Sequence, residues 1–204
     1  VLWVKPDQII TQKNDVMVPK SGRFFCYVID GDWDLMEKRL EDHPIFGMLK
    51  EHFQYRVRWS DTSFYPEILF NIRERGVYWN GCRSEIDVQA RCAYLDKLFD
   101  EMKNTGYTIP DGLKYGETGL ARTCTPQEII VNVGRNGRLI YENGKHRLFI
   151  AKILGLPLVP VRIMVRHKLW QDYRDQIVLE RRKKRRSEYA QSIISHPDID
   201  YLNS

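Results

Sequence analysis

The chain has 204 residues, 43% of them hydrophobic and 29% charged, proportions that suit a globular protein with one substantial core. No apolar run approaches the ~20 residues that span a bilayer, and the opening VLWVKPDQII is too short and too polar for a secretory signal, so a cytoplasmic protein is expected. The net charge of +5 is uneven: residues 162–186 carry ten Lys/Arg against three Asp/Glu, which leaves the rest slightly acidic and excludes a uniformly basic, DNA-coating surface.

In chain order, LWVKPDQI, VMVP and FFCYVID read as extended segments broken by Pro6, Pro19 and Gly22, the last strand stopping at the turn Asp30-Gly31-Asp32. The chain begins at Val1 rather than Met, which leaves open a segment before it. From Trp33 to Gly106 the apolar period becomes helical. Ile45, Phe46, Leu49 and Phe53 follow Pro44; Phe64, Ile68, Leu69 and Ile72 repeat the spacing; Leu95, Leu98, Phe99 and Met102 belong to a helix expected between Ser84 as N-cap and Gly106. Residues 107–125 contain three Gly and one Pro without periodicity, a long loop of the kind that closes over ligands, with Glu117, Thr118 and Arg122 in it. IIVNVGRNGRLIYE then places two β-rich runs around Asn136-Gly137, a strong hairpin signal. A helix with Leu148, Ala151 and Leu154 ends at Gly155, LVPVRIMV alternates as a strand, and a charged helix runs from about Leu169 through RRKKRR. Cys26, Cys82, Cys92 and Cys124 form no CxxC pair, so a structural zinc site is not expected and reduced, buried thiols are.

The stretch ENGKHRLFIAKILGL poses an electrostatic question. A helix N-terminus presents unpaired N–H groups and a positive dipole end, so Lys145, His146 and Arg147 there destabilise the isolated helix unless an anion joins them. A phosphate meets that need, with His146 donating to one oxygen and Arg147 gripping two. Asn143-Gly144-Lys145-His146-Arg147, between a strand and a helix, resembles the signature loop of the ParB/sulfiredoxin superfamily, which includes ParB nucleotide-binding domains, sulfiredoxins and free-serine kinases. The resemblance covers Thr125 to His167, with weaker support from KPDQI near the N-terminus.

The resemblance implies an α/β (α+β) fold, a small mixed sheet of ParB/sulfiredoxin type. Residues 1–32 and 107–168 would form the core, residues 33–106 a helical insertion with no counterpart in the family, and residues 169–204 a basic C-terminal helical extension. It further implies that Asn143 to Arg147 bind the phosphates of ATP or another nucleoside triphosphate with Mg²⁺, and that a phosphoryl group passes to a small-molecule acceptor held between this loop and the helical block. The loop has no cysteine, which argues against sulfiredoxin chemistry, and about 37 residues after the last strand are too few for a ParB helix-turn-helix domain. Many kinase relatives carry Asp where this chain has Asn143, so a catalytic or metal-binding carboxylate is sought elsewhere: Asp32 and Asp34 as metal ligands or base, or Glu142.

Other readings stay open. Asp30, Asp32 and Asp34 suit a turn and a helix cap equally well, Asp61-Thr62 beside Trp59 suits a helix N-cap, and Trp33 suits core packing better than stacking on a base. Arg181, Arg182, Lys183, Lys184, Arg185 and Arg186 form a solvated face or a patch for nucleic acid or an anionic surface, without interleaved aromatics. A DNA-binding or nuclease-like ParB relative and a nucleotide-sensing switch without turnover are the rival functions.

Overall fold

A computed structural model describes residues 1–13, 27–35, 37–108, 129–182 and 196–200. VMVP, Cys26, Cys124, most of the 107–125 loop and Lys183 to Arg186 lie outside these residues. Seven strands, β1 (Leu2–Val4), β2 (Ile9–Lys13), β3 (Tyr27–Ile29), β4 (Glu37–Arg39), β5 (Ile129–Val133), β6 (Leu139–Asn143) and β7 (Val159–His167), form one mixed sheet. Its order is β1-β7-β5-β6-β2-β4, with β3 also beside β7. Among the described residues six α-helices accompany it: α1 (Pro44–Phe53), α2 (Tyr65–Arg75), α3 (Glu85–Thr105), α4 (Lys145–Leu154), α5 (Lys168–Arg182) and α6 (Pro197–Asp200). The fold is of the α+β class expected. No helix among the described residues is long and apolar enough to cross a membrane.

β7 is the spine of the sheet, with strands paired along both of its edges. Val159, Val161, Ile163, Val165 and His167 are buried, while Arg162, Met164 and Arg166 are partly exposed. One edge pairs in parallel with β5 (Val131↔Ile163); the other takes β1 antiparallel at its start (Val4↔Val159) and β3 in parallel at its end (Ile29↔His167). The β5–β6 hairpin turns at Gly134 to Arg138, where the Arg138 amide donates to the Asn136 side chain at 3.1 Å and Gly137 takes φ +85°. β6 runs in parallel with β2 (Thr11↔Ile140). Two ends of the sheet follow from these directions. One end gathers the carboxyl ends of β2 and β6; the other gathers the hairpin turn and the carboxyl ends of β3, β5 and β7.

α4 is the hub of the main core. Leu148, Phe149, Ile150 and Ala151 are fully buried, and the Phe149 ring lies 5.0 Å from Phe46 of α1. Each such large side chain contributes about 1.5–3 kcal/mol of burial. α3 adds Val88, Cys92, Leu95, Leu98 and Met102 at three- and four-residue intervals and starts with a capping box in which Ser84 and Asp87 exchange hydrogen bonds. Burial, then the nearby Asp96 and Cys82, pushes the Cys92 thiol up to about 12, so it stays a thiol. The Trp33–Gly106 block departs from the all-helical expectation in two places. β4 joins the sheet by pairing with β2, and residues 76–84 form a tight non-helical segment. The expected Asp61-Thr62 cap is instead a 3-10 turn at Trp59–Asp61, whose Trp59 carbonyl accepts from the Thr62 hydroxyl at 2.7 Å; α2 begins later, after Phe64.

Candidate functional site

The NGKHR loop forms where β6 ends. The Asn143 side chain accepts from the Gly144 amide at 2.8 Å, and Gly144, at φ +86°, makes the left-handed turn into α4 that a side chain would strain. No side chain caps the helix, so Lys145, His146 and Arg147 stand in its first turn. The Tyr141 hydroxyl is hydrogen-bonded to the Lys145 backbone, and burial raises its pKa. A cleft of about 410 Å³ opens over this turn, lined by Asn143 to Arg147 together with Arg91 and Tyr94 of α3 and His43. Among the described residues three cations, Lys145, Arg147 and Arg91, line it, and no carboxylate does. Arg147 also lies over the Tyr107 ring, 5.6 Å from its centroid.

The electrostatics are those of a site short of negative charge. Burial depresses the Lys145 pKa. Burial, then Lys145, Arg91 and His43, pushes His146 down to about 3, and burial with Lys145 pushes His43 down to about 4. Both imidazoles are therefore neutral at pH 7. His43 Nδ1 accepts from the Ile45 amide at 3.2 Å as the N-cap of α1, which leaves its proton on Nε2. His146 Nε2 is buried without a hydrogen-bond partner among the described residues, and so is Trp79 Nε1, whose ring stands edge-on to His146 at 6.0 Å. Trp79 and Asn80 hold φ of +38° and +61°, a conformation that costs non-glycine residues about 1–3 kcal/mol each.

A second lobe of about 500 Å³ adjoins the first and shares His43, Asn80 and Lys145 with it. Its further lining includes Gln12, Lys38, Phe64, Glu67, Tyr78 and Trp79. His43, Glu67, Asn80 and Arg91 escaped the sequence reading. His43 before Pro44 and Asn80-Gly81 were local signals of a cap and a turn, but nothing local tied them to a loop that starts 100 residues after the first and 63 after the second.

Asp32 and Asp34 are not brought to this site. They sit at the opposite end of the sheet, one length of β6 away, roughly 15 Å. Asp34, 1% exposed, accepts from the Arg135 backbone amide at 2.7 Å and from its guanidinium at 2.7 Å. Asp32 meets the same guanidinium at 2.7 Å but is 78% exposed. Desolvation pushes the Asp34 carboxyl up, yet the side-chain and backbone hydrogen bonds of Arg135, with His167, outweigh it and hold it below the usual range. His167 Nε2 donates to the Gly31 carbonyl at 2.8 Å, so IDGDWDL clasps the ends of β3 and β7 to the hairpin. The turn reading of these aspartates is the one the geometry fits. Trp33 packs with Ile140 and Val165 on the sheet's other face. Glu142 accepts from Asn132 at 2.8 Å and lines neither lobe. Among the described residues no cluster of three His, Cys, Asp or Glu could hold a metal ion. Of the basic run, Arg181 and Arg182 end α5.

Comparison of the chain with protein-family models, with curated proteins and with solved structures returned no match.

Proposed function

We propose that this protein is a nucleotide-dependent phosphotransferase of ParB/sulfiredoxin type, binding the phosphates of ATP or another nucleoside triphosphate in the cleft over Gly144 to Arg147. The observation that carries the reading is the composition of that cleft: Lys145, Arg147 and Arg91 around a helix N-terminus, with no carboxylate among the described residues that line it. Lys145 and Arg91 neutralise developing phosphate charge, Arg147 offers a planar fork to two oxygens, and the Nε2–H of His43 adds a neutral donor at the junction of the lobes. Mg²⁺ travels with such a nucleotide and needs few protein ligands, since phosphates and water fill most of its shell. Asp32 and Asp34 take no part in this reading, and neither does Glu142.

Calorimetric titration with Mg²⁺-ATP, with the other three nucleoside triphosphates and with inorganic triphosphate tests it. The wild type should bind, with His146→Ala and Lys145→Ala weakened about 10- to 100-fold, the loss of one or two charge-assisted hydrogen bonds. Unchanged affinity in both variants, or no binding of any triphosphate, rules the assignment out.

A further inference from the structure

The two lobes meet at His43, Asn80 and Lys145 but differ in chemistry. Among the described residues, the charged groups of the phosphate lobe are all cations, whereas the second lobe has one carboxylate, Glu67, in the first turn of α2. The Glu67 carboxylate faces solvent, and no hydrogen bond or ion pair ties it down among the described residues. Around it stand groups that both donate and accept, the amides of Gln12 and Asn80 and the phenol of Tyr78, with Phe64 and Trp79 as apolar walls. Trp79 is 6% exposed, and its buried Nε1–H has no acceptor among the described residues. The strained backbone at Trp79 and Asn80 holds that wall in place. Lys145 is shared with the phosphate lobe, so once a phosphate is bound the second lobe keeps one exposed cation, Lys38, against one carboxylate. Such a lobe favours a neutral, hydroxyl-rich compound over an anionic one.

We propose that this lobe is the acceptor site, that the acceptor is an uncharged sugar or polyol, and that Glu67 is its catalytic base. The proposal rests on the phosphate reading of the neighbouring cleft. The acceptor oxygen bonds to the γ-phosphorus as the bond from that phosphorus to the β–γ bridging oxygen breaks. The nucleoside diphosphate leaves with the electron pair, and the hydroxyl proton passes to the Glu67 carboxylate.

The test uses the full chain with Mg²⁺-ATP and four acceptor classes: hexoses, polyols such as glycerol and inositol, hydroxy-amino acids such as serine, and hydroxy-acids such as glycerate. Acceptor-dependent ADP release is followed together with ³¹P NMR of the product. Nucleotide binding and sugar binding are each measured separately by calorimetry. The expected result is turnover with a hexose or polyol that falls about 100-fold in Glu67→Gln, the lower range for loss of a general base. The acidic limb of the pH–rate profile should disappear with it. Transfer to serine or glycerate in preference to polyols overturns the acceptor class while leaving the nucleotide reading intact, as does ATP binding with no acceptor used. Sugar binding that Trp79→Phe or Glu67→Gln weakens, without any nucleotide binding, keeps the acceptor lobe and removes the phosphate reading. A polyol kinase unaffected by Glu67→Gln overturns the role of Glu67.

Discussion

His146 and His43 show how much of this site is set by single residues in a dry, cationic setting. Their folded values of about 3 and about 4 lie below the ordinary 6.5 because burial, first, and neighbouring cations disfavour the charged imidazole. The unfolded chain therefore binds more protons below about pH 6.5. Stability falls as the pH drops from there, and the loss levels off only below the folded values. Between pH 6.5 and 4.5 the His146 share is about 2–3 kcal/mol. His146→Gln should accordingly lose less melting temperature than wild type over that range, and parallel losses in the two proteins would show that His146 is not responsible. A bound phosphate favours protonation and so opposes this loss, protecting most at the acidic end. At this scale the sequence was informative about Lys145 to Arg147, because five consecutive residues at a helix start form a local pattern. It was silent about His43, Arg91 and Glu67, whose relevance comes only from distant chain segments brought alongside.

At the scale of elements, the turn that follows β3 and the β5–β6 hairpin decide which of two readings of the strand-end aspartates the geometry fits. A strand end is where site residues collect, but a sheet has two ends, and the residue types do not say which one a carboxylate occupies. Here Asp34 holds the hairpin through Arg135. Asp34→Ala removes the carboxylate that the Arg135 guanidinium and backbone share and should cost about 1–3 kcal/mol, because the guanidinium is partly exposed and keeps Asp32, whereas Asp32→Asn, at an exposed position, should cost about 0–1 kcal/mol. Urea unfolding of the two variants checks this, and equal small effects would dismiss the clasp. Triphosphate affinity should be unaltered in both. The helices were more legible than this turn. Ser84, Gly106, Pro44 and Gly155 mark their boundaries through caps and missing or unusual backbone freedom, which act within one turn of chain.

At the scale of the whole molecule, α5 and α6, beyond β7, pack back onto the sheet. α6, four residues long, puts Asp198 in a fully buried position where it pairs with Arg166 of β7 at 2.6 Å and with Arg174 of α5 at 3.1 Å. The same carboxylate accepts from Trp170 Nε1 at 2.9 Å, and His196 Nε2 donates to the Gly137 carbonyl at 2.8 Å. Asp198→Ala takes the shared anion from two arginines and should lower stability by about 3–5 kcal/mol by thermal or urea unfolding. The lesion is at the hairpin end of the sheet, so triphosphate binding at 25 °C should survive. A loss under 1 kcal/mol would show the network to be incidental. PDID carries too short a pattern to announce a helix, and its partners lie 24 and 32 residues upstream, which is why this closure had no trace in the sequence reading.

The sequence by itself determined the α+β class, the helix boundaries marked by Pro44, Ser84, Gly106 and Gly155, the hairpin and the cationic helix mouth, since each depends on interactions within a few residues. Tertiary structure alone decided which end of the sheet the aspartates occupy and which residues, His43, Glu67, Asn80 and Arg91, complete the walls around Lys145. Those decisions follow from strand order and direction. Pairing across the sheet is a non-local choice, made by the burial of β7 and α4 as a whole, and no short stretch of sequence carries it.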